Sequence, residues 1–382
     1  MIIRTMAPYK MILIAIAILV LCVPMVIGCG SGNAPKIMTT ADGVRFVRTP
    51  DARFKDLPGF PYKARYVEID GLRQAYVDEG PAGADPILLL HGEPTWSYLY
   101  RKIIPVLVAG GHRVIAMDHV GMGRSDKPID IKYYTYLGHV DRLEKFIEAL
   151  KLEHITLYCH DWGSLIGLYV AGKHPEWFDR IVVSDGTLPV VPAGLQPYPP
   201  VQDPNKINKD LVSPFASIPP QQPHFYDAEG NPLPGKQAED FADWMVYAMT
   251  AASFHPAEVV EALTYFPVPA QIKAAYDAPF PSRIYMAGPR VFPSLVNDLP
   301  GVTEDAWIGL TRYTKPFLTI WASNDPGNLG SKTIQNRLIN NIPGAAGRPH
   351  VRIPQASHFL QEDQGAEVAR RINEFIVANP RQ

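Results

Sequence analysis

The sequence predicts an α/β fold in which helices cover both faces of a mostly parallel sheet, with a mainly helical cap inserted between the two halves of that sheet. Three observations lead to this prediction. Short apolar runs bounded by turn residues alternate with segments of helical periodicity through most of the chain. The alternation stops near residue 188, and strand character returns only near residue 315. Hydrophobic residues make up 47% of the 382 residues and charged residues 19%, which suits one large apolar core.

The first residues of the chain have the composition of an export signal. Arg4 and Lys10 precede an uncharged apolar stretch over 11–28. A basic start, an apolar centre and small residues at the cleavage site are typical of a secretory signal, so we assign 1–28 to a signal peptide. The apolar stretch is almost long enough to cross a bilayer, which leaves an uncleaved membrane anchor as the alternative.

Cys29 is the expected lipidation site. Residues 26–29 (VIGC) resemble the bacterial lipobox, and cleavage before Cys29 would leave that cysteine to carry the lipid. Residues 29–60 contain Gly, Ser and Pro with little periodicity and are interpreted as a tether. We therefore expect a catalytic domain outside the cytoplasm, in the periplasm or at the cell surface, anchored to a bacterial membrane. Beyond Cys29 only Cys159 remains, so an internal disulfide is not expected.

Short apolar runs predict the strands of the core, and apolar residues at helical spacing predict its helices. The strands are expected at 85–92, 112–118, 154–159, 180–185, 315–321 and 350–354. The core helices are expected at 139–152, 163–174 and 365–379.

The break in the alternation defines the cap. Twelve prolines occur from Pro189 to Pro234, which argues against long helices there, and helical spacing returns over 238–254 and 255–266. A cap in this position would cover the carboxyl edge of the sheet, where ligands bind in open α/β sheets. The predicted divisions are 61–187 for the first part of the core, 188–300 for the cap and 301–382 for the second part of the core.

The segment YCHDWGS over 158–164 predicts a sharp turn from a strand into a helix, with Asp161 at its apex. In the α/β-hydrolase fold this turn carries the nucleophile, usually within Gly-x-Ser-x-Gly. Asp325 and His358 each follow a later strand, and the chain order of nucleophile, acid and histidine is the order of that fold. Three such residues, each at the carboxyl end of a strand, indicate a catalytic triad.

A second motif predicts two hydrogen-bond donors beside the nucleophile. In LLHGEPTW, over 89–96, a His-Gly pair follows an early strand and directs the next backbone N–H toward the nucleophile. The backbone N–H groups of Glu93 and Trp162 would then form an oxyanion hole. An ordinary tight turn around Gly92 and Pro94 is the alternative.

Charge and motif spacing argue against several other classes of protein. The formal net charge of −2 gives no electrostatic reason to expect a nucleic-acid partner. Gly121-x-Gly123 lacks the full spacing of a dinucleotide-binding loop, and no group of Cys and His has the spacing of a zinc site. We therefore expect no metal.

These segments resemble those of the haloalkane dehalogenases, a family within the α/β-hydrolase superfamily. The resemblance covers roughly residues 60–382, and HGEPTWSYLYRK is its most specific block. It is closest to the subgroup with an Asp-His-Asp triad and two tryptophans that bind halide. The other matching blocks are GMGRSDKP, HDWGS, FADWMVYAM, YDAPFPS, FPSLV and ASHFLQED.

The resemblance implies an enzyme that hydrolyses a small haloalkane to alcohol, halide and a proton, without a cofactor. Asp161 would displace the halide and form an alkyl ester on the protein. Water activated by His358 as general base would hydrolyse that ester, while Asp325 would orient the imidazole. In another branch of the family the acid follows an earlier strand, where this chain has Asp185, so Asp185 is the alternative acid.

Two indole N–H groups would bind the departing halide, because tryptophan donates hydrogen bonds and accepts none. Trp162 is one candidate, beside the nucleophile. Trp244 in FADWMVYAM is the second, on a predicted cap helix, although it could instead belong to the core of the cap. Trp96, which follows the oxyanion turn, is a weaker candidate.

Two other functions stay open on the sequence alone. An epoxide hydrolase would use the same Asp161 and His358, but would also need acidic hydroxyls from the cap. A non-catalytic ligand receptor on the same fold would have lost a triad member or the oxyanion turn, and both are intact in this sequence. The tyrosines that could serve an epoxide hydrolase are Tyr247, Tyr265, Tyr276 and Tyr285.

Overall fold

The computed structural model describes residues 35–215 and 237–381, and an eight-stranded sheet forms the centre of this part of the chain. In chain order the strands are β1 (Met38–Thr39), β2 (Arg45–Val47), β3 (Arg65–Ile69), β4 (Leu72–Glu79), β5 (Pro86–Leu90), β6 (Arg113–Met117), β7 (Lys127–Pro128), β8 (Ile155–His160), β9 (Phe178–Ser184), β10 (Phe317–Ala322) and β11 (Val351–Ile353). The large sheet has the order β11-β10-β9-β8-β5-β6-β4-β3. Its pairs from β11 to β6 are parallel, and only β4 runs against its neighbours. The predicted mostly parallel sheet is confirmed.

Helices flank this sheet, as predicted for an α/β fold. Helix α3 packs against both α2 and α8, and α1 packs against α10. The helices are α1 (Ile104–Ala109), α2 (Tyr136–Ala149), α3 (Trp162–Lys173), α4 (Gln237–Thr250), α5 (Pro256–Ala262), α6 (Ala270–Asp277), α7 (Ala287–Val291), α8 (Glu304–Leu310), α9 (Lys332–Asn341) and α10 (Leu360–Ala378).

The central strands match their sequence prediction because both of their faces are covered. Every residue of β5, β8 and β10 is buried, which is why these strands are continuous apolar runs. Strands β3 and β4 were not predicted. They form an antiparallel hairpin at the edge of the sheet, where β3 is largely exposed and polar residues interrupt the apolar ones.

Helix α10 is longer than the prediction, which began at residue 365. The helix begins at Leu360, and Gln364 interrupts it with φ −132° and ψ 33°. The apolar periodicity detected in the sequence therefore belongs to the part after this irregularity. The first turn of the helix, before Gln364, directly follows the loop that contains His358.

The predicted tether over 29–60 is wrong for the residues from Lys36 onward, whereas its first residues, the signal peptide over 1–28 and Cys29 lie outside the described residues. Strands β1 and β2 pair with each other, and β2 pairs with β7 in a separate three-stranded sheet. Phe46 and Phe60 are buried in the apolar core, and Thr49 Oγ1 donates to the carbonyl oxygen of Pro279 at 2.7 Å. These contacts fold the segment into the unit that begins at Lys36, so composition alone misled the prediction.

The inserted segment between β9 and β10 contains α4 to α8. The proline-rich part that is described, up to residue 215, contains no helix or strand apart from an isolated bridge between Asn208 and Ala251. Helix α4 packs against α7, and α5 against α6. In the described part of the chain, no helix has the length and apolar character needed to cross a membrane.

Candidate active site

Asp161 occupies the sharp turn between β8 and α3 in a backbone conformation that side chains rarely adopt. Its φ is 51° and its ψ is −129°. Such a conformation costs about 1–3 kcal/mol and persists only where the surrounding structure enforces it. Close packing provides that enforcement: a Cβ at Gly163 would lie 2.1 Å from the carbonyl oxygen of Leu90. The strand, turn and helix predicted around Asp161 are all present.

The turn that carries Asp161 lies where successive strands of the chain are added to opposite sides of β5 in the sheet. The chain continues from β5 to β6 on one side, whereas β8 pairs with β5 on the other side. Loops that leave two such strands diverge, and the crevice between their carboxyl ends is the usual ligand site of open α/β sheets. The turn that carries Asp161, after β8, and the turn that carries Glu93, after β5, therefore lie side by side at this edge of the sheet.

The turn after β5 hydrogen-bonds directly to the Asp161 carboxylate. The backbone N–H of Glu93 donates to Asp161 Oδ1 at 2.8 Å. The backbone N–H of Trp162 is close enough to contribute to lowering the pKa of the same carboxyl group. A Cβ at Gly92 would lie 2.0 Å from Oδ1, so only glycine permits this approach. The two N–H groups predicted to form an oxyanion hole thus converge on one carboxylate.

His358 lies between Asp325, the predicted triad acid, and Asp161, the predicted nucleophile. Its Nδ1 is 2.9 Å from Asp325 Oδ2, and its Nε2 is 3.6 Å from Asp161 Oδ2. Asp325 is buried, and its other oxygen accepts the Gly327 N–H at 2.6 Å, which fixes the orientation of the carboxylate. The histidine backbone is also held, because His160 Nε2 lies 2.7 Å from the carbonyl oxygen of His358.

Asp185, the alternative acid, makes different contacts. Its carboxyl oxygens accept the Ala322 N–H at 3.0 and 3.3 Å, and no hydrogen bond joins its side chain to His358, both of which lie in the described part of the chain. Burial, followed by the negative charge of Asp325, raises the pKa of Asp185 well above its usual value. Burial thus favours the protonated form of Asp185 more than in an exposed aspartate, whereas Asp325 faces the imidazole.

The charges of His358 and Asp161 depend on each other. Burial alone would lower the pKa of His358, but the carboxylates of Asp325 and Asp161 raise it well above its usual value. Burial alone would raise the pKa of Asp161, but the hydrogen bond and charge of His358 lower it. In the free protein these opposite shifts favour an ion pair of Asp161 carboxylate and His358 imidazolium.

An apolar cavity covers the Asp161 carboxylate, and the indoles of Trp162 and Trp244 both line it. Trp244 comes from α4 in the cap, where its ring packs 4.9 Å from that of Phe215 and 5.8 Å from that of Phe254. Burial, followed by the negative charge of Asp161, raises the pKa of the Glu93 carboxyl well above its usual value, which disfavours a second negative charge in the wall. The cavity is lined by Glu93, Asp161, Trp162, Phe215, Phe241, Trp244, Val259, Leu263, Gly327, Asn328, Leu329 and His358.

Trp96, the weaker candidate for halide binding, lies elsewhere. It is fully buried among Phe54, Phe60 and Tyr98, with ring centroids 5.4 to 5.6 Å away. Its indole Nε1 has no hydrogen-bond partner in the described part of the protein. The aromatic packing around Trp96 keeps it away from Asp161.

The four tyrosines that an epoxide hydrolase could use do not line this cavity as far as it is described. Two of them have hydroxyl partners of their own: Tyr247 donates to the carbonyl oxygen of Ser253 at 3.2 Å, and Tyr276 donates to Glu362 Oε1 at 2.5 Å. Tyr276 is fully buried beside this carboxylate. Among the residues that the structure describes, no pair of phenols lies opposite Asp161.

Several residues of the site were not predicted. Phe241 precedes Trp244 by one helical turn on α4, so the periodicity of that helix could have assigned it to the cavity. Phe215 and Leu263 carry no such signal, because their positions depend on how the cap folds over the sheet. Within residues 35–215 and 237–381, no cluster of three His, Cys, Asp or Glu side chains could hold a metal ion.

Comparison with known proteins agrees with this geometry. Residues 85–364 match the family model described as alpha/beta hydrolase fold. A haloalkane dehalogenase of Mycobacterium marinum is 44% identical over 336 residues, which cover 85% of this chain and 98% of that protein. One of Psychrobacter cryohalolentis is 38% identical over 348 residues, covering 88% of this chain and all of that protein. The structure of a haloalkane dehalogenase from Paraglaciecola agarilytica superposes with a TM-score of 0.68 at 30% identity, covering 85% and 97% of the two chains.

The fold, the sharp turn at Asp161 and the cavity above it together define an enzyme of the α/β-hydrolase superfamily. Within it, the chain belongs to the haloalkane dehalogenase family.

Proposed function

We propose that this protein hydrolyses haloalkanes to an alcohol, a halide ion and a proton, through an alkyl ester formed on Asp161. One observation carries the proposal. An ionised carboxylate at a strained turn faces an apolar cavity that also contains two indoles, with His358 and Asp325 behind it. The names of the relatives support the reaction class, and the site geometry supports the assignment of the steps.

The first step needs a nucleophile that is already an anion. Attack of Asp161 Oδ2 on the carbon that bears the halogen forms the carbon–oxygen bond, and the halide leaves with the bonding electrons of the carbon–halogen bond. No proton moves in this step. We assign the indole N–H groups of Trp162 and Trp244 to the departing halide, because donors fixed in advance stabilise a developing charge most in a site that excludes water.

The second step needs a base, and the first step produces it. Esterification removes the negative charge of Asp161, which is one of the two carboxylates that raise the pKa of His358. The pKa of His358 then falls, so the imidazole can give up its proton and accept one from water. That water attacks the carbonyl carbon of the ester, and the N–H groups of Glu93 and Trp162 stabilise the oxyanion. The bond between the ester carbonyl carbon and the alkoxy oxygen then breaks, and His358 returns its proton to that oxygen, which leaves as the alcohol. The carboxylic acid formed on Asp161 gives its proton to His358, which restores the carboxylate. The proton that His358 first released to solvent is the one produced in each turnover.

A substrate panel tests the proposed reaction class. The purified protein is incubated with chloro-, bromo- and iodoalkanes of increasing length and, in parallel, with the corresponding terminal epoxides. Equal amounts of halide and alcohol from the haloalkanes support the proposal, and freshly purified Asp161→Asn should release no halide. Diol formation from the epoxides without halide release from any haloalkane would contradict it.

We also propose that the protein is exported and lipid-anchored through Cys29. The support is the sequence over 1–29, with its basic start, apolar stretch and lipobox-like end. A labelled fatty acid should be incorporated into the protein in a bacterial host, and Cys29→Ala should abolish that label. Incorporation that persists in Cys29→Ala, or a parent protein that carries no lipid and stays in the cytoplasmic fraction, would refute the anchor.

A further inference from the structure

The loop that carries His358 is hydrogen-bonded on both sides of that residue. The backbone N–H of Ser357 donates to Asp363 Oδ2 at 2.9 Å. The backbone N–H of Phe359 donates to the carbonyl oxygen of Leu263 at 3.1 Å. Leu263 belongs to the cap, so the peptide that follows the general base is bonded directly to the cap.

Asp363 extends this connection. The same carboxylate that accepts the Ser357 N–H also accepts two N–H groups from the cap. The Tyr265 N–H donates to Oδ2 at 2.8 Å, and the Phe266 N–H donates to Oδ1 at 3.1 Å. The Asp363 side chain thus ties Tyr265 and Phe266 to the residue before His358. We call residues 263–266, which include these two and Leu263, the cap edge.

The cap edge also contacts the space where the substrate would bind. The side chain of Leu263 lines the cavity together with Asp161 and His358. Asp161 is held by other means, through the strained turn after β8 and the N–H group of Glu93. A displacement of the cap edge would therefore reach the general base before it reached the nucleophile.

We infer that Asp363 is a positioning residue that couples the cap edge to His358, so that it controls hydrolysis of the ester and not its formation. The inference rests on the proposed function, because it needs a reaction in two steps. Asp363 touches neither the nucleophile nor the cavity wall and acts only through Ser357 and the cap edge.

Asp363→Asn tests this coupling. A carboxamide has one acceptor oxygen instead of two and turns an NH₂ group toward the backbone donors, so it cannot serve all three N–H groups. With a bromoalkane that the parent converts, the rate of halide release in the first turnover should stay within about twofold of the parent. Ester hydrolysis should slow by about tenfold, as expected for loss of a hydrogen bond to a charged group. The alkylated protein should then accumulate, which mass spectrometry detects.

Asp277→Asn is the matched control. The Asp277 carboxylate accepts the Ala257 N–H at 3.0 Å inside the cap and is not bonded to the loop around His358 in the described structure. It should behave like the parent in both steps. If Asp363→Asn hydrolyses the ester at the parental rate, or slows both steps equally, the coupling is wrong.

Hydrogen exchange of the unmodified protein tests the same coupling without any variant. The amide hydrogens of Ser357, Phe359, Tyr265 and Phe266 should exchange together, as members of one cooperative unit. Exchange of the two cap amides at a rate unrelated to that of the two loop amides would overturn the inference. This measurement needs no turnover, so it separates failure of the coupling from failure of the proposed dehalogenation.

Discussion

Two buried carboxyl groups lie near His358, and their hydrogen bonds differ. Asp325 bonds to the imidazole at 2.9 Å, whereas Asp185 bonds to the backbone of β10, and burial raises its pKa. Asp325→Asn should therefore slow ester hydrolysis by roughly 10³- to 10⁴-fold, the loss typical of a triad carboxylate. Asp185→Asn leaves the bond between Asp325 and His358 in place and should change that rate by less than about tenfold. Single-turnover kinetics of both variants checks the ranking, and the reverse ranking would make Asp185 the acid.

At the same scale, Trp244 has a specific expected role in halide binding. Trp244 lines the cavity from the cap, and Trp162 lines it from the start of α3. A halide bound between them should quench tryptophan fluorescence in a saturable way. Trp244→Phe keeps an aromatic ring but removes the N–H donor. We expect bromide affinity to fall by about tenfold and most of the turnover to be lost, with circular dichroism unchanged. Trp96→Phe is the control, because Trp96 lies in a separate aromatic cluster. Bromide affinity and turnover that match the parent in Trp244→Phe would exclude the two-indole site.

Among the structural elements, the turn after β5 matters because it brings a backbone donor, the Glu93 N–H, to the carboxylate of Asp161. A methyl group at Gly92 would lie 2.0 Å from Asp161 Oδ1, so Gly92→Ala must displace either the turn or the carboxylate. We expect turnover to fall by about 10²- to 10³-fold, as for loss of an oxyanion donor. Gly83→Ala is the matched control, because a Cβ there meets no atom within 4 Å. Parental kcat in Gly92→Ala would show that the approach of this turn to Asp161 is dispensable.

The cap and the edge of the sheet show which elements the sequence could and could not specify. Strands β5, β8 and β10 are apolar on both faces, so their sequences identify them without knowledge of their neighbours. The segment from Lys36 to Phe60 has no such periodicity and is ordered by contacts with β7 and the cap. Its folding depends on partners far away in the chain, which local patterns do not report.

At the scale of the whole molecule, the sequence predicts those residues of the site that lie in short motifs directly after strands. Asp161, Asp325 and His358 each follow a parallel strand, and they come together because parallel strands end at the same edge of the sheet. The walls of the cavity are not predictable in this way, because Phe215 and Leu263 reach it only through the packing of the cap. The same holds for the link from Asp363 to the cap edge, which joins segments about a hundred residues apart.

The charge coupling of the complete site predicts different pH responses for the two steps. His358 lowers the pKa of Asp161 despite burial, so ester formation should be independent of pH across the neutral range. Hydrolysis needs a neutral imidazole, and the carboxylates raise the pKa of His358 against the effect of burial. The rate of hydrolysis should therefore rise with pH and level off above the pKa that His358 has in the ester state. Rapid-quench assays across the pH range check this, and a rate of hydrolysis that falls as pH rises would contradict it.

The division of labour between Asp161 and His358 is tested most directly by trapping the ester. His358→Gln removes the base but leaves Asp161, both oxyanion donors and the two indoles in place. Mixed with a bromoalkane, this variant should release about one equivalent of bromide per protein and then stop. Mass spectrometry of the digested protein should find the alkyl group on the peptide that contains Asp161. Continued turnover of His358→Gln, or a burst of bromide with no alkyl group on Asp161, would contradict the covalent mechanism.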